Sequence, residues 1–122
     1  MRDYNLYLSD ILKAMESIEE FVKDMSFEQL RSDDKTSSAV IRKFEIIGEA
    51  TKQIPDDIKQ RHPNVPWKDM SGMRDRLIHI YFGVDYNLVW TAIKERIPQV
   101  KPLIKKILDE SIQEIRGDDQ EE

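Results

Sequence analysis

The residues best able to do chemistry lie in one stretch, Met70 to Phe82, where Arg74, Asp75, Arg76 and His79 fall within six positions. Arginine pairs bidentately with phosphate oxygens, and its charge does not depend on pH. Histidine exchanges protons near neutrality, as general base on a ribose 2′-hydroxyl or as general acid to a leaving oxygen. Together they suit cleavage of a phosphodiester without a metal or cofactor. Other chemistries have little to draw on. Cysteine is absent, so there is no thiolate nucleophile and no Cys-based zinc site. The two histidines, His62 and His79, are 17 residues apart and form no metal-binding pair.

The elements that must position these groups read as helices. Pro66-Trp67 opens a helix predicted to continue to about Phe82, where Gly83 closes it. On that helix Met70, Met73, Leu77, Ile80 and Val84 face the core, and Arg74 shares a face with Tyr81. Asp75 and His79, at i,i+4 spacing, share another face, where the carboxylate can orient the imidazole. Arg76 stands alone between that face and the core side. Ile78 and Phe82 fall roughly opposite the core stripe, which predicts a second copy of the chain covering them. Residue types alone also allow a plainer account: a core histidine, and an Arg-Asp-Arg run on a solvated face.

The rest of the chain supplies packing. A first helix is expected over about Tyr4 to Met25, with Leu8, Ile11, Leu12, Met15, Ile18, Val22 and Met25 on one face. Ser26 and Gln29 have capping-box spacing for a short turn through Leu30. A second long helix runs from about Lys35 to Ile54, with Val40, Phe44, Ile47, Thr51 and Ile54 as its stripe. Pro55 to Pro66 is a connector with one helical turn. Asp85 caps a helix over Tyr86 to Ile97, and Pro98 marks a kink or a restart. A last helix carries Val100, Leu103, Ile104, Ile107, Leu108, Ile112 and Ile115 up to Gly117. With no strand pattern and no repeat, the fold class is all-α, a bundle of four or five helices.

Length and charge set the outer limits. At 122 residues the chain holds one domain, taken as residues 1–116, and is too short for a dinucleotide-binding fold or an α/β barrel. The net charge of −5 is concentrated at the end, since residues 117–122 contain four acids and no base. Those six residues read as a disordered acidic tail. No apolar run reaches the roughly 20 residues a membrane span needs, and the polar start is unlike a signal peptide, so a cytoplasmic location is expected. Trp67 is expected to anchor the core, Tyr86 and Trp90 to pack, Glu49 to be solvated, and His62 to have no role. Lys101, Lys105 and Lys106 form a basic patch on the last helix.

Arg74, four residues, His79, one residue and Tyr81 resemble the Arg-x4-His-x-Tyr motif of HepT-like toxins in the HEPN superfamily. Arg42-Lys-Phe-Glu-Ile-Ile-Gly-Glu-Ala50, Val65-Pro-Trp67, Gly72-Met-Arg74 and Val84-Asp85 also resemble recurring segments of that family, in the same order, covering most of residues 1–108. The resemblance implies an all-α homodimer with the motif at the subunit interface. It implies a metal-independent endoribonuclease acting on RNA as the toxin of a toxin–antitoxin pair. Arg74 and His79 would be catalytic, and Asp75 joins them as a catalytic candidate through its spacing to His79. The partner would be a minimal nucleotidyltransferase antitoxin that transfers AMP to Tyr81, in an assembly of the homodimer alone or of a larger hetero-oligomer. Asp75 stands where the family commonly has Asn, which adds negative charge beside the phosphate. Alternatives are a non-catalytic nucleotide-binding adaptor of a nucleotidyltransferase complex, or a structural helical dimer.

Overall fold

The computed structural model describes residues 3–79 and 83–121, with side chains over 4–78 and 83–114. Helix α1 spans Asp3–Phe21, α2 Phe27–Ser32 and α3 Asp34–Lys52. The short α4, Asp56–Arg61, is the expected single turn of the connector, and α5 follows over Trp67–Leu77. Two-residue strands β1 (Ile78–His79) and β2 (Gly83–Val84) come next. Then α6 (Tyr86–Thr91), a π-helical turn (Ala92–Arg96) and α7 (Ile97–Glu121) run on as one continuous helical path. The chain is an all-α bundle, as its spacing predicts.

The apolar stripes explain how it packs. Leu8, Ile11, Leu12, Met15 and Ile18 of α1, with Val22 just beyond it, are buried against Val40, Phe44 and Ile47 of α3, and Val100, Ile104 and Ile107 of α7 close the same core. At the far end of α7 the stripe gives out, with Ile112 exposed. Thr51 takes its place in the buried α3 face by donating its hydroxyl hydrogen to the Ile47 carbonyl at 2.7 Å. That local bond removes the cost of burying an unpaired hydroxyl.

The caps follow the sequence closely. The Gln29 N–H donates to Ser26 Oγ, and the Ser26 N–H donates to Gln29 Oε1, so the predicted capping box forms. Asp33 caps α3 by accepting from the Thr36 N–H, and that backbone bond holds its carboxyl below the usual range. α1 stops at Phe21, short of Met25. Asp24 adopts φ 63°, a left-handed conformation that aspartate tolerates better than most side chains and that breaks the helix.

Pro98 marks a restart, as expected: α7 begins at Ile97, directly after a π turn in which the Ile97 N–H reaches back five residues to the Ala92 carbonyl. Two departures follow. α7 runs through Gly117 to Glu121, where composition predicts a stop. Most consequential, α5 ends at Leu77 and not near Phe82. Ile78 and His79 are extended and pair antiparallel with Gly83 and Val84, in the register Ile78↔Val84 and His79↔Gly83. β-Branched Ile78 and Val84 favour extended backbone, and Gly83, at φ 75°, supplies a left-handed position few other residues can take.

Asp69 ties α5 to the π turn. Its carboxylate accepts from Arg76 at 2.9 Å and from Arg96 at 3.0 Å, and its carbonyl accepts a further bond from Arg76. The hydrogen bond from Arg76, followed by the charges of Arg76 and Arg96, lowers the Asp69 pKa. A lowered folded-state pKa gives stability that is present above the unfolded carboxylate value and lost as pH falls through the folded one. Melting temperatures followed down through pH 4 should therefore fall more steeply for the wild type than for Asp69→Asn. Parallel curves would contradict this role.

Candidate active site

The site is built where α3 and α5 cross. Gly48 of α3 lies against the backbone of α5, and a Cβ placed there would sit 3.3 Å from the Ser71 carbonyl oxygen and 3.5 Å from that of Met70. Three residues before Gly48 stands Glu45, and three after Ser71 stands Arg74, and the two meet, Arg74 Nε to Glu45 Oε2 at 3.3 Å. The matching steps in opposite chain directions show that the two helices run antiparallel. Arg74 is thus fixed by a residue 29 positions away in sequence, at a close helix crossing made at Gly48. Gly48→Ala should be tolerated after a shift of a few tenths of an ångström, whereas Gly48→Leu should cost about 1–3 kcal/mol by overpacking and separate Glu45 from Arg74. Chemical denaturation of both variants checks this, and equal stabilities would contradict it.

Around Arg74 the charges are balanced. Its side chain is 49% exposed, and Nη1 lies 3.6 Å from Asp75 Oδ1, whose side chain is 84% exposed. Glu45 also accepts from Arg42 Nη1 through its other oxygen, Oε1. Two arginines and two carboxylates therefore share one open patch at the C-terminal end of α5.

The structure changes how the expected site residues relate. Asp75 and His79 do not share a helical face, because His79 lies in β1 beyond the end of α5. The carboxylate of Asp75 is instead directed to Arg74. Ile78 is not on an outward apolar face either, since it is half-buried and packs against the core. Phe82, Tyr81 and Ile80 lie outside the described residues, as does the side chain of His79. Arg76 does not stand alone but is held by Asp69. Met70, Met73 and Leu77 face the core as predicted, and Val84 packs against it from β2.

β1 and β2 are held to α5 by their own backbone. The Ile78 N–H donates to the Arg74 carbonyl, and the Asp85 N–H donates to the Leu77 carbonyl at 2.8 Å. Asp85 in turn caps α6 by accepting from the Leu88 N–H. The backbone of His79 is thereby tied to the end of the helix that carries Arg74.

The remaining candidates fall out simply. Trp67 is a buried anchor whose Nε1–H donates to the His62 carbonyl at 3.0 Å, so His62 contributes its backbone. Trp90 packs edge-on to Phe27 and carries Lys94 Nζ 4.8 Å above its ring, an arrangement of packing rather than of an open stacking platform. Glu49 is exposed and pairs with Lys52. Lys101 is not a free steering charge: it donates to Glu19 of α1 at 2.7 Å, a bond that raises its pKa. Lys105 and Lys106 border an open groove on α7 shared with Asp109, Glu110 and Glu114, so that surface is mixed in sign. Glu45 is the residue that sequence reasoning missed. It lies within the Arg42–Ala50 segment, but only the helix crossing reveals its partner.

Among the described residues, no three His, Cys, Asp or Glu side chains converge as a metal site, and no helix is long and apolar enough to cross a membrane.

Comparison with known proteins gives a consistent result. The model of the family "Ribonuclease HepT-like" matches residues 11–107. "Probable ribonuclease HepT" of Thermococcus cleftensis is 51% identical over 106 residues, which is 87% of this chain and 96% of that protein. "Putative RNase MJ0125" of Methanocaldococcus jannaschii is 48% identical over 107 residues, covering 88% and 92% of the two chains. The same organism has a longer relative, "Gamma-glutamylcyclotransferase and putative RNase MJ0434", 42% identical over 109 residues, in which the match spans 89% of this chain and 49% of that protein. No solved structure gives a significant match.

Proposed function

The chain belongs to the ribonuclease HepT-like family of the HEPN superfamily, and on that premise we propose that it is a metal-independent endoribonuclease, the toxin of a toxin–antitoxin pair. The observation that carries the reading is Arg74, held at the exposed end of α5 by Glu45, with the backbone of His79 tied to the same helix end.

In this mechanism Arg74 binds the scissile phosphate through its terminal amino groups. His79 takes the proton of the ribose 2′-hydroxyl, whose oxygen attacks the adjacent phosphorus. The P–O5′ bond breaks, and the leaving oxygen takes up a proton. The products are a 2′,3′-cyclic phosphate and a 5′-hydroxyl, and no water is consumed. Asp75 acts through Arg74, restraining the guanidinium from its exposed side. An Arg74 open to solvent on that side is compatible with a site completed by a second subunit, and a homodimer is part of the proposal. Sedimentation of Phe82→Glu tests it, and a dimer as tight as the wild type would count against the interface.

The partner is a minimal nucleotidyltransferase that transfers AMP to Tyr81, in a complex that can exceed the dimer. The added nucleotide brings negative charge and bulk that compete with RNA phosphate for Arg74. Expression in cells tests the toxin reading. Wild type should arrest growth, Arg74→Ala and His79→Ala should not, and co-expression of the nucleotidyltransferase should relieve arrest and add one AMP to Tyr81, seen by mass spectrometry. Arrest by the variants, or relief without the modification, would contradict it.

A further inference from the structure

We propose that Glu45 divides its two oxygens between Arg42 and Arg74 to build a two-arginine grip for successive phosphates of single-stranded RNA. The inference rests on the ribonuclease reading, and it adds two residues to that reading.

The geometry separates the roles of the two ends of Arg74. Glu45 Oε2 engages Nε, on the inner edge of the guanidinium. Both terminal amino groups are left at the outer end, where, among the described residues, the largely exposed Asp75 approaches Nη1 at 3.6 Å. A phosphate can displace that solvent-competing contact without disturbing the anchor. Glu45 Oε1 meanwhile holds Arg42, one turn earlier on α3 and mostly exposed. A single carboxylate therefore keeps two like charges side by side that would otherwise repel and point apart. Exposed ion pairs of this kind add little to folding stability, so the main consequence of the bridge is where it places the two guanidinium groups. Beyond Arg42 the surface continues as a groove of about 270 Å³ between α1 and α3, lined by Tyr7, Asp10, Arg42, Ile46, Glu49 and Gln53. It offers room for the nucleoside that follows the second phosphate.

The grip predicts opposite effects on binding and turnover. Arg42→Ala removes one phosphate contact, so the slope of log affinity against log salt should shrink by about 0.7, the share of one single-strand phosphate. Its KM should rise with kcat nearly kept. Glu45→Ala removes a negative charge beside the phosphate and also the anchor of Nε. RNA should bind as tightly or more tightly, yet kcat should fall by about tenfold, with Glu45→Gln in between because its amide oxygen still accepts one hydrogen bond. A residue that merely stabilised the fold would instead lower the melting temperature without that split.

The experiment is fluorescence anisotropy of a labelled single-stranded oligoribonucleotide at several salt concentrations, with all proteins carrying His79→Ala so that the probe survives. Single-turnover cleavage by the same Arg42 and Glu45 substitutions with His79 intact runs beside it. An unchanged salt slope for Arg42→Ala, or an unchanged kcat for Glu45→Ala, overturns the grip. If the wild type neither binds nor cleaves RNA, the ribonuclease reading itself fails. Cleavage by the wild type with unaltered Arg42→Ala binding removes only the grip.

Discussion

Arg74→Ala and His79→Ala are each expected to slow RNA cleavage by roughly 10²- to 10⁴-fold, the usual range for losing a preorganised charge at a reacting centre or a general acid–base group. The two losses should differ in kind. Without Arg74 the phosphate loses its cation in both the ground state and the transition state, so KM should rise while kcat falls. Without His79 the phosphate is still held, and the loss should fall mainly on kcat. Arg74→Lys should not restore activity. An ammonium is a single point of charge, and it cannot rest one nitrogen on Glu45 while presenting two others to a phosphate. Single-turnover kinetics on an end-labelled oligoribonucleotide measures both parameters. An Arg74→Lys variant as fast as the wild type would show that only charge matters at this position.

Leu77→Ala is expected to be the most damaging of the simple core truncations near the site, costing about 2–5 kcal/mol through lost burial and the cavity left behind. Leu77 is the last residue of α5 and is fully buried, at 0% exposure. Its carbonyl also accepts the Asp85 N–H, so the residue secures both the end of the helix and the pairing of β1 with β2. A loss of that size should lower the melting temperature by roughly 10 °C or more in a domain of this length. Turnover at low temperature, where the variant is still folded, should also drop, because the tie between the ends holding Arg74 and His79 is loosened. Ile112→Ala, at an exposed position of α7, should change stability by no more than about 0.5 kcal/mol. Similar melting temperatures for the two variants would contradict this view of the core.

Much of the bundle was legible because it depends on local signals. The Ser26–Gln29 capping box, the Asp85 cap and the stripes of α1 and α3 are patterns within a few turns of chain, and they form as their spacing predicts. The end of α5 was not legible in the same way. A helical reading of residues 78 to 82 requires that no longer-range pairing compete, and the Ile78↔Val84 pair does compete. The face that joined Asp75 to His79 was therefore displaced. Arg74 itself was identified by type and motif spacing. Its partner was not, because the contact with Glu45 exists only through the antiparallel crossing at Gly48. The π turn escaped for a similar reason: proline at position 98 announces a lost hydrogen bond but not how neighbouring backbone makes it good.

If Arg74 and His79 cleave RNA by internal attack of the 2′-hydroxyl, the products reveal it most directly. Purified protein is incubated with a defined oligoribonucleotide in the presence of a chelator, and the fragment ends are identified by mass spectrometry. The wild type is expected to give 2′,3′-cyclic phosphate and 5′-hydroxyl ends, and His79→Ala none. Fragments ending in 3′-hydroxyl and 5′-phosphate, or undiminished cleavage by His79→Ala, would contradict it.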